Sequence, residues 1–229
     1  MSRVQRRIIA RAATVALLLA AVLLASGCAS SAAKDYSLFR VNMPRSILVL
    51  PPLNESEDIN AGSAYLSIAS EAIGEKGFYV FPVALVDTLM RDNGLTSAAD
   101  MHALPLSSID EITGADAVLY ITLEQFGQKF EGLDKTTRVR ARASLVDVGS
   151  GQELWQNTID HQHGGNRGNA SGHVLNTLIA APVGQLFSSV SDRVHAEARL
   201  AHYRLVTPTG RGLLFGPRHP LHGSEETGG

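Results

Sequence analysis

The chain of 229 residues contains one cysteine and one tryptophan, and only 6% of its residues are aromatic. A single thiol excludes an intramolecular disulfide framework and every cysteine-rich metal site. Charged residues make up 18% of the sequence, with 20 Lys and Arg against 22 Asp and Glu. No basic block stands out, which argues against nucleic acid as a partner. The longest uncharged apolar run, Ala12 to Ala25, has 14 residues, short of the ~20 that a spanning helix requires. Neither a P-loop lysine pattern nor a G-x-G-x-x-G after a strand occurs, and Gly149-Ser150-Gly151 is a hairpin turn rather than a G-x-S-x-G nucleophile elbow.

The lone cysteine explains itself by position. Arg3, Arg6, Arg7 and Arg11 precede the apolar run, which exits through Leu24-Ala25-Ser26-Gly27-Cys28. A basic segment, a short apolar segment and a small-residue exit are the grammar of a secretory signal peptide. The exit resembles the lipobox of bacterial lipoproteins, which implies cleavage after Gly27 and acylation of Cys28. Ala29, where an Asp would retain the protein at the inner membrane, implies by the same resemblance passage to the periplasmic face of the outer membrane. Without residues 1–27 the chain has 202 residues, 16 Lys and Arg against 22 Asp and Glu, and a net charge of −6.

Residues 28–44 read as a lipidated terminus and tether, 45–203 as one α/β domain, and 204–229, in which Gly and Pro recur without any period, as a disordered or loosely attached tail. Within the domain, Ile47–Leu50, Phe78–Phe81 and the first half of the segment from Ala115 to Phe126 are apolar on both faces. They alternate with short helical patterns, as expected of a sheet flanked by helices. Tyr65, Ile68, Ala69, Ala72 and Ile73 form one helical stripe closed by Gly77. Ser108 and Glu111 have capping-box spacing. From residue 134 to 162 the pattern becomes alternating, a hairpin with Val139, Ala141, Ala143 and Leu145 on one face and Arg138, Arg140 and Arg142 on the other. A Gly/Asn-rich loop follows, then a long helix over Ser171–His202 with a kink expected at Pro182.

Several residues invite a chemical reading. His102 lies near Asp100 and could form a dyad, or simply pack between helices. His161 and His163 share a strand face as H-x-H metal ligands sometimes do, or stand as exposed strand-end polar groups. The Arg138/Arg140/Arg142 row could meet anionic lipid or an acidic partner, or be the wet face of a sheet. Trp155 is a core aromatic or an interface anchor.

The lipobox, "SILVLPP", the block "GFYVFPVALVDTLMRDNGLTSAADMHALPLSSIDEITGADAVLYITLEQFG" and "LVDVGSGQELWQ" together resemble a family of bacterial lipoproteins of unknown function. The resemblance implies a mixed α/β sheet flanked by helices, similar to the amino-terminal domain of TolB and to anticodon-binding-like domains, with a long carboxy-terminal helix. It further implies kinship with the periplasmic domain of CsgG and a gene beside that of a CsgG-like lipoprotein. The function expected is that of a non-enzymatic envelope-interaction module, without catalytic, cofactor or metal residues, whose partners are the membrane through Cys28 and other envelope proteins. The alternatives are a binding module for a small ligand or peptidoglycan, using the loop after Pro52, and a hydrolase using His102.

Overall fold

A computed structural model describes residues 34–131, 134–164, 183–207 and 211–224. The signal segment 1–27, Cys28, the Gly/Asn-rich loop, the first part of the long helix and its expected kink at Pro182 lie outside the described residues.

A short helix α1 (Ser37–Val41) opens the domain. It is followed by β1 (Ser46–Val49), β2 (Leu53–Asn54), α2 (Ala61–Glu75), β3 (Tyr79–Val80), α3 (Val83–Asp92), α4 (Ala98–His102) and α5 (Leu106–Thr113). Three long strands, β4 (Ala117–Glu131), β5 (Asp134–Asp147) and β6 (Glu153–Gly164), precede the long helix α6 (Val183–Val206). The strands form one mixed six-stranded sheet in the order β3-β1-β4-β5-β6, with β2 also paired to β4. β1 runs parallel to both β3 and β4, whereas β4, β5 and β6 form an antiparallel meander. The mixed α/β sheet with its carboxy-terminal helix is therefore the architecture that the apolar runs and the later alternation imply.

Two cores result from the pleat, since successive side chains of a strand point to opposite faces. Ile47 and Val49 of β1, Leu119, Ile121 and Leu123 of β4, Val139, Ala141 and Leu145 of β5 and Trp155 of β6 face α2 and α6. Leu48, Leu50 and Val118 face the other way, against Val86, Met90, Met101 and Ile109 from α3, α4 and α5. Those three short helices cover only β1 and the start of β4. The outer side of β5 is left to Arg138, Arg140 and Arg142.

Three local expectations are corrected. The tether expected over 28–44 ends sooner, because Phe39 is wholly buried and Tyr36 packs beside it. The capping box at Ser108 does not form. α5 begins at Leu106 behind Pro105, whose fixed φ already suits a helix start, and Ser108 lies within the first turn. Strand β2 takes up the segment after Pro52, where a loop is expected.

The largest difference is the tail. Of residues 204–229, those at 204–206 complete α6 and those at 211–224 pack as a strap over the domain, with Leu213 and Leu214 buried. Trp155 Nε1 donates to the Arg211 carbonyl at 3.0 Å, Lys76 Nζ to that of Leu213 at 3.0 Å, and the Tyr36 hydroxyl to that of Gly212. The Gly216 and Arg218 amides donate to the carbonyls of Lys76 and Gly77 at 2.7 and 3.2 Å. The contact is so close that a Cβ on Gly77, which sits at φ +85°, would lie 2.4 Å from the His219 nitrogen. One on Gly216 would lie 2.7 Å from the Gly77 carbonyl oxygen. Hydrogen bonds to and from its backbone, three of them given by side chains of the domain, and the close approach at two glycines hold this segment, so it has no apolar period to betray it.

Candidate functional site

His102 ends α4, and the structure does not join it to Asp100. Its Nε2–H donates to the Pro51 carbonyl at 2.9 Å, and its ring meets Tyr120 edge-on at 5.3 Å. Burial lowers its basicity, and the bond to Pro51 opposes that effect. Asp100 is occupied elsewhere. Its carboxylate accepts from the Ser97 hydroxyl at 2.6 Å, while Ser97 in turn accepts the Asp100 amide and so caps α4. The pair ties α4 to the end of β1 and to its own first turn, with no nucleophile between them.

His161 and His163 do share a face of β6, and there they meet α6 rather than solvent alone. His161 is buried, contrary to the strand-end exposure expected for it. Arg204 Nη1 lies 3.1 Å from its Nδ1. A guanidinium can only donate, so Nδ1 accepts and the imidazole proton resides on Nε2. Nε2 then donates to Glu197 at 2.7 Å. The other oxygen of Glu197 lies 3.6 Å from Nδ1 of the exposed His163. Both nitrogens of His161 are thus engaged in clamping α6 to β6. Among the described residues no group of three His, Cys, Asp or Glu is arranged to hold a metal ion.

The arginine row is a ladder rather than a bare cationic strip. Arg138 grips Asp160 through Nε and Nη2 at 2.9 and 2.7 Å, and Arg140 reaches the same carboxylate at 3.1 and 2.6 Å. Arg142 pairs with Glu124. Hydrogen bonds from Arg138, then from Arg140, hold the Asp160 carboxyl well below the usual carboxylate range. The register of β5 on β6, which sets Arg140 opposite Asp160, makes the pairing possible. Trp155 is a core residue, only 1% exposed.

The segment after Pro52 passes through β2 and is then tied down by its own side chains. Asn54 donates to the Asp58 carbonyl at 2.7 Å and accepts from the Ser56 hydroxyl at 2.6 Å. A more open concavity of about 620 Å³ lies between α2 and α6, lined by Ile68, Ala72, Leu200 and Tyr203, with Glu71 and Arg199 3.4 Å apart at its edge. On the same two helices the Tyr65 hydroxyl and His202 Nδ1 share a 3.0 Å hydrogen bond in the interior. His202 Nε2 has no hydrogen-bond partner among the described residues. Burial drives His202 down to about 4 and pushes the Tyr65 phenol up.

Sequence reasoning misses this pair, although a signal exists. Extending the helix period through Val194, Ala198, Ala201 and Leu205 brings His202 to the flank of the apolar stripe. The His161–Glu197 link carries no comparable signal, since 36 residues separate its partners.

Known proteins share this design. A family model described as "Putative lipoprotein GNA1162-like" matches residues 34–218. The "Putative lipoprotein NMB1124/NMB1162" of Neisseria meningitidis serogroup B is 42% identical over 203 residues, which cover 87% of this chain and 94% of that protein. The crystal structure of lipoprotein GNA1162 from Neisseria meningitidis, also 42% identical, covers 63% of this chain and 99% of its own, with a TM-score of 0.51. The strap up to Arg218 falls inside the matched range, as do both cores and the arginine ladder. From the tether's end to the strap, the chain belongs to the GNA1162-like lipoprotein family.

Proposed function

We propose that the protein is an envelope lipoprotein, acylated on Cys28 and held on the periplasmic face of the outer membrane. There its α/β domain binds other envelope proteins instead of performing a reaction. The observation that carries this reading is a coincidence of two independent facts. A lipobox-like exit ends at the chain's one cysteine, and a lipoprotein family matches from only six residues further on. The side chains best suited to chemistry already have structural partners: His102, His161 and Glu197 each join one element to another, and Asp100 bonds the cap of its own helix. The partner proposed is an envelope protein such as the CsgG-like lipoprotein that the sequence resemblance implies. Tethering favours such a contact by raising the domain's concentration near the membrane.

The test is Cys28→Ser in the producing bacterium, followed with a fatty-acid analogue. Loss of the label together with accumulation of unprocessed precursor is the expected result. A mutant that still takes up the label would overturn the assignment. Crosslinking of the wild-type protein in living cells, with the mutant at matched level as control, then identifies what the anchored domain touches.

A further inference from the structure

The helix that opens the domain has an outer side with no evident work in the fold. α1 sends Phe39 wholly into the core, while Leu38 and Val41, three residues apart and so on one side of the helix, remain 38% and 82% exposed. Arg40 is exposed between them, and Arg45 is exposed just beyond. The bond from Tyr36 to the Gly212 carbonyl brings the strap's exposed Arg211 alongside. Two acids lie nearby; each accepts backbone amides and also acts electrostatically on its neighbouring arginine, Asp35 on Arg40 and Asp116 on Arg45, while both arginines stay exposed to solvent. Asp35 accepts the Ser37 amide at 2.8 Å, and Asp116 accepts the amides of Arg45 and Ser46 at 2.8 and 2.9 Å. Apolar side chains ringed by arginines are the chemistry of a surface that meets the boundary between headgroups and acyl chains.

The covalent chain says which surface that is. Six residues, Ala29 to Lys34, separate Cys28 from Asp35. An extended chain spans at most ~3.6 Å per residue, so Asp35 lies no further than about 25 Å, and the start of α1 at Ser37 no further than about 32 Å, from the residue proposed to carry the acyl groups. We infer that this side of α1 rests on the bilayer holding the Cys28 lipid, with Leu38 and Val41 entering the interface and Arg40, Arg45 and Arg211 facing phosphate groups. The inference rests on the acylation of Cys28. It adds that the domain lies against its membrane by α1 instead of swinging freely on its tether.

Because acylation consumes the chain's own thiol, Val41→Cys is the sole reactive thiol of the acylated protein. The full protein, purified from the membranes of its producing bacterium, carries an environment-sensitive fluorophore there. It is reconstituted into vesicles of phosphatidylethanolamine and phosphatidylglycerol containing a spin-labelled lipid. Tyr203→Cys, at an exposed site on α6, is the reference. Quenching at position 41 should exceed that at 203 by at least about twofold, and Arg40→Glu with Arg45→Glu should bring it down to the reference level. Equal quenching at the two positions in protein whose Cys28 is shown by mass to be acylated would overturn the inference and leave the anchor standing. A position 41 shielded from aqueous quencher yet untouched by the lipid quencher would overturn it in favour of a protein contact. Absence of acyl mass on Cys28 would remove the anchor, and this inference with it.

Discussion

The two faces of the sheet are built on opposite plans. Against α2 and α6, β1, β4, β5 and β6 present aliphatic side chains and Trp155 with almost no exposure. On the other face, α3, α4 and α5 close over β1 and the start of β4, and beyond that point the strands carry Arg138, Arg140, Arg142, Asp160 and Glu124. The covered face is stabilised by removal of apolar area from water, at about 25 cal/mol per Å². The open face is held by backbone pairing and by ion pairs whose strength water and salt reduce. A substitution on one face should therefore be felt through the whole domain, and one on the other only locally.

Trp155→Ala is the most severe test of that contrast. It empties a fully buried site and strips the Arg211 carbonyl of its donor, so a loss of about 3–5 kcal/mol is expected, read by urea unfolding followed by circular dichroism. A loss comparable to that of a surface substitution would show that the strap and core are not one cooperative unit.

The second test uses pH on the same covered face. The folded-state pKa of His202, about 4, lies below that of an unfolded-state histidine, near 6.5, because burial disfavours the charged ring. Between these values the unfolded chain binds a proton that the folded chain refuses. This contribution to stability is fully present above about pH 6.5 and is lost as the pH falls towards 4, amounting to roughly 2 kcal/mol by pH 5. His202→Leu should flatten the decline in urea midpoint between pH 6.5 and 4.5, whatever constant offset the unbonded Tyr65 hydroxyl introduces. An unchanged slope would assign the decline to other groups.

The smallest effect is expected on the open face. Asp160→Asn removes the negative charge shared by Arg138 and Arg140 and one of the two oxygens that accept from them. The carboxylate is about a third exposed, so screening limits the loss to about 1 kcal/mol or less. Added salt should narrow the gap between mutant and wild type in the same unfolding assay. A loss of several kcal/mol would mean that the ladder, and not the covered core alone, holds the meander.

Much of this contrast is legible in the amino-acid pattern. Ile47–Leu50 and Val118–Ile121 are apolar on both faces because helices cover both sides there. The strict alternation from Arg138 to Leu145 marks the point where cover on one side ends. What stays hidden are contacts without periodicity. The strap joins by single hydrogen bonds at its backbone, from Tyr36, Lys76 and Trp155 among others, and by two glycines that let main chains meet. β2 is two residues long, and His161 depends on Glu197 and Arg204, distant along the chain. For the candidate site, His102 and Asp100 are two residues apart yet bonded to different partners, a matter of side-chain direction that spacing alone does not set. Cys28 is the reverse case, since its reading comes wholly from linear context.

The strap has a consequence for the order of events in making the molecule. Its residues emerge from the ribosome after every strand and helix they touch, and Gly212 bonds to Tyr36, 176 residues earlier. Until that late segment arrives, Lys76 lacks the Leu213 carbonyl and Trp155 lacks its acceptor. Loop closure of this length also makes the final docking slow compared with local helix formation. A nascent chain truncated before Leu213 therefore carries an incompletely sealed core, so native closure of this domain waits on its last-made segment.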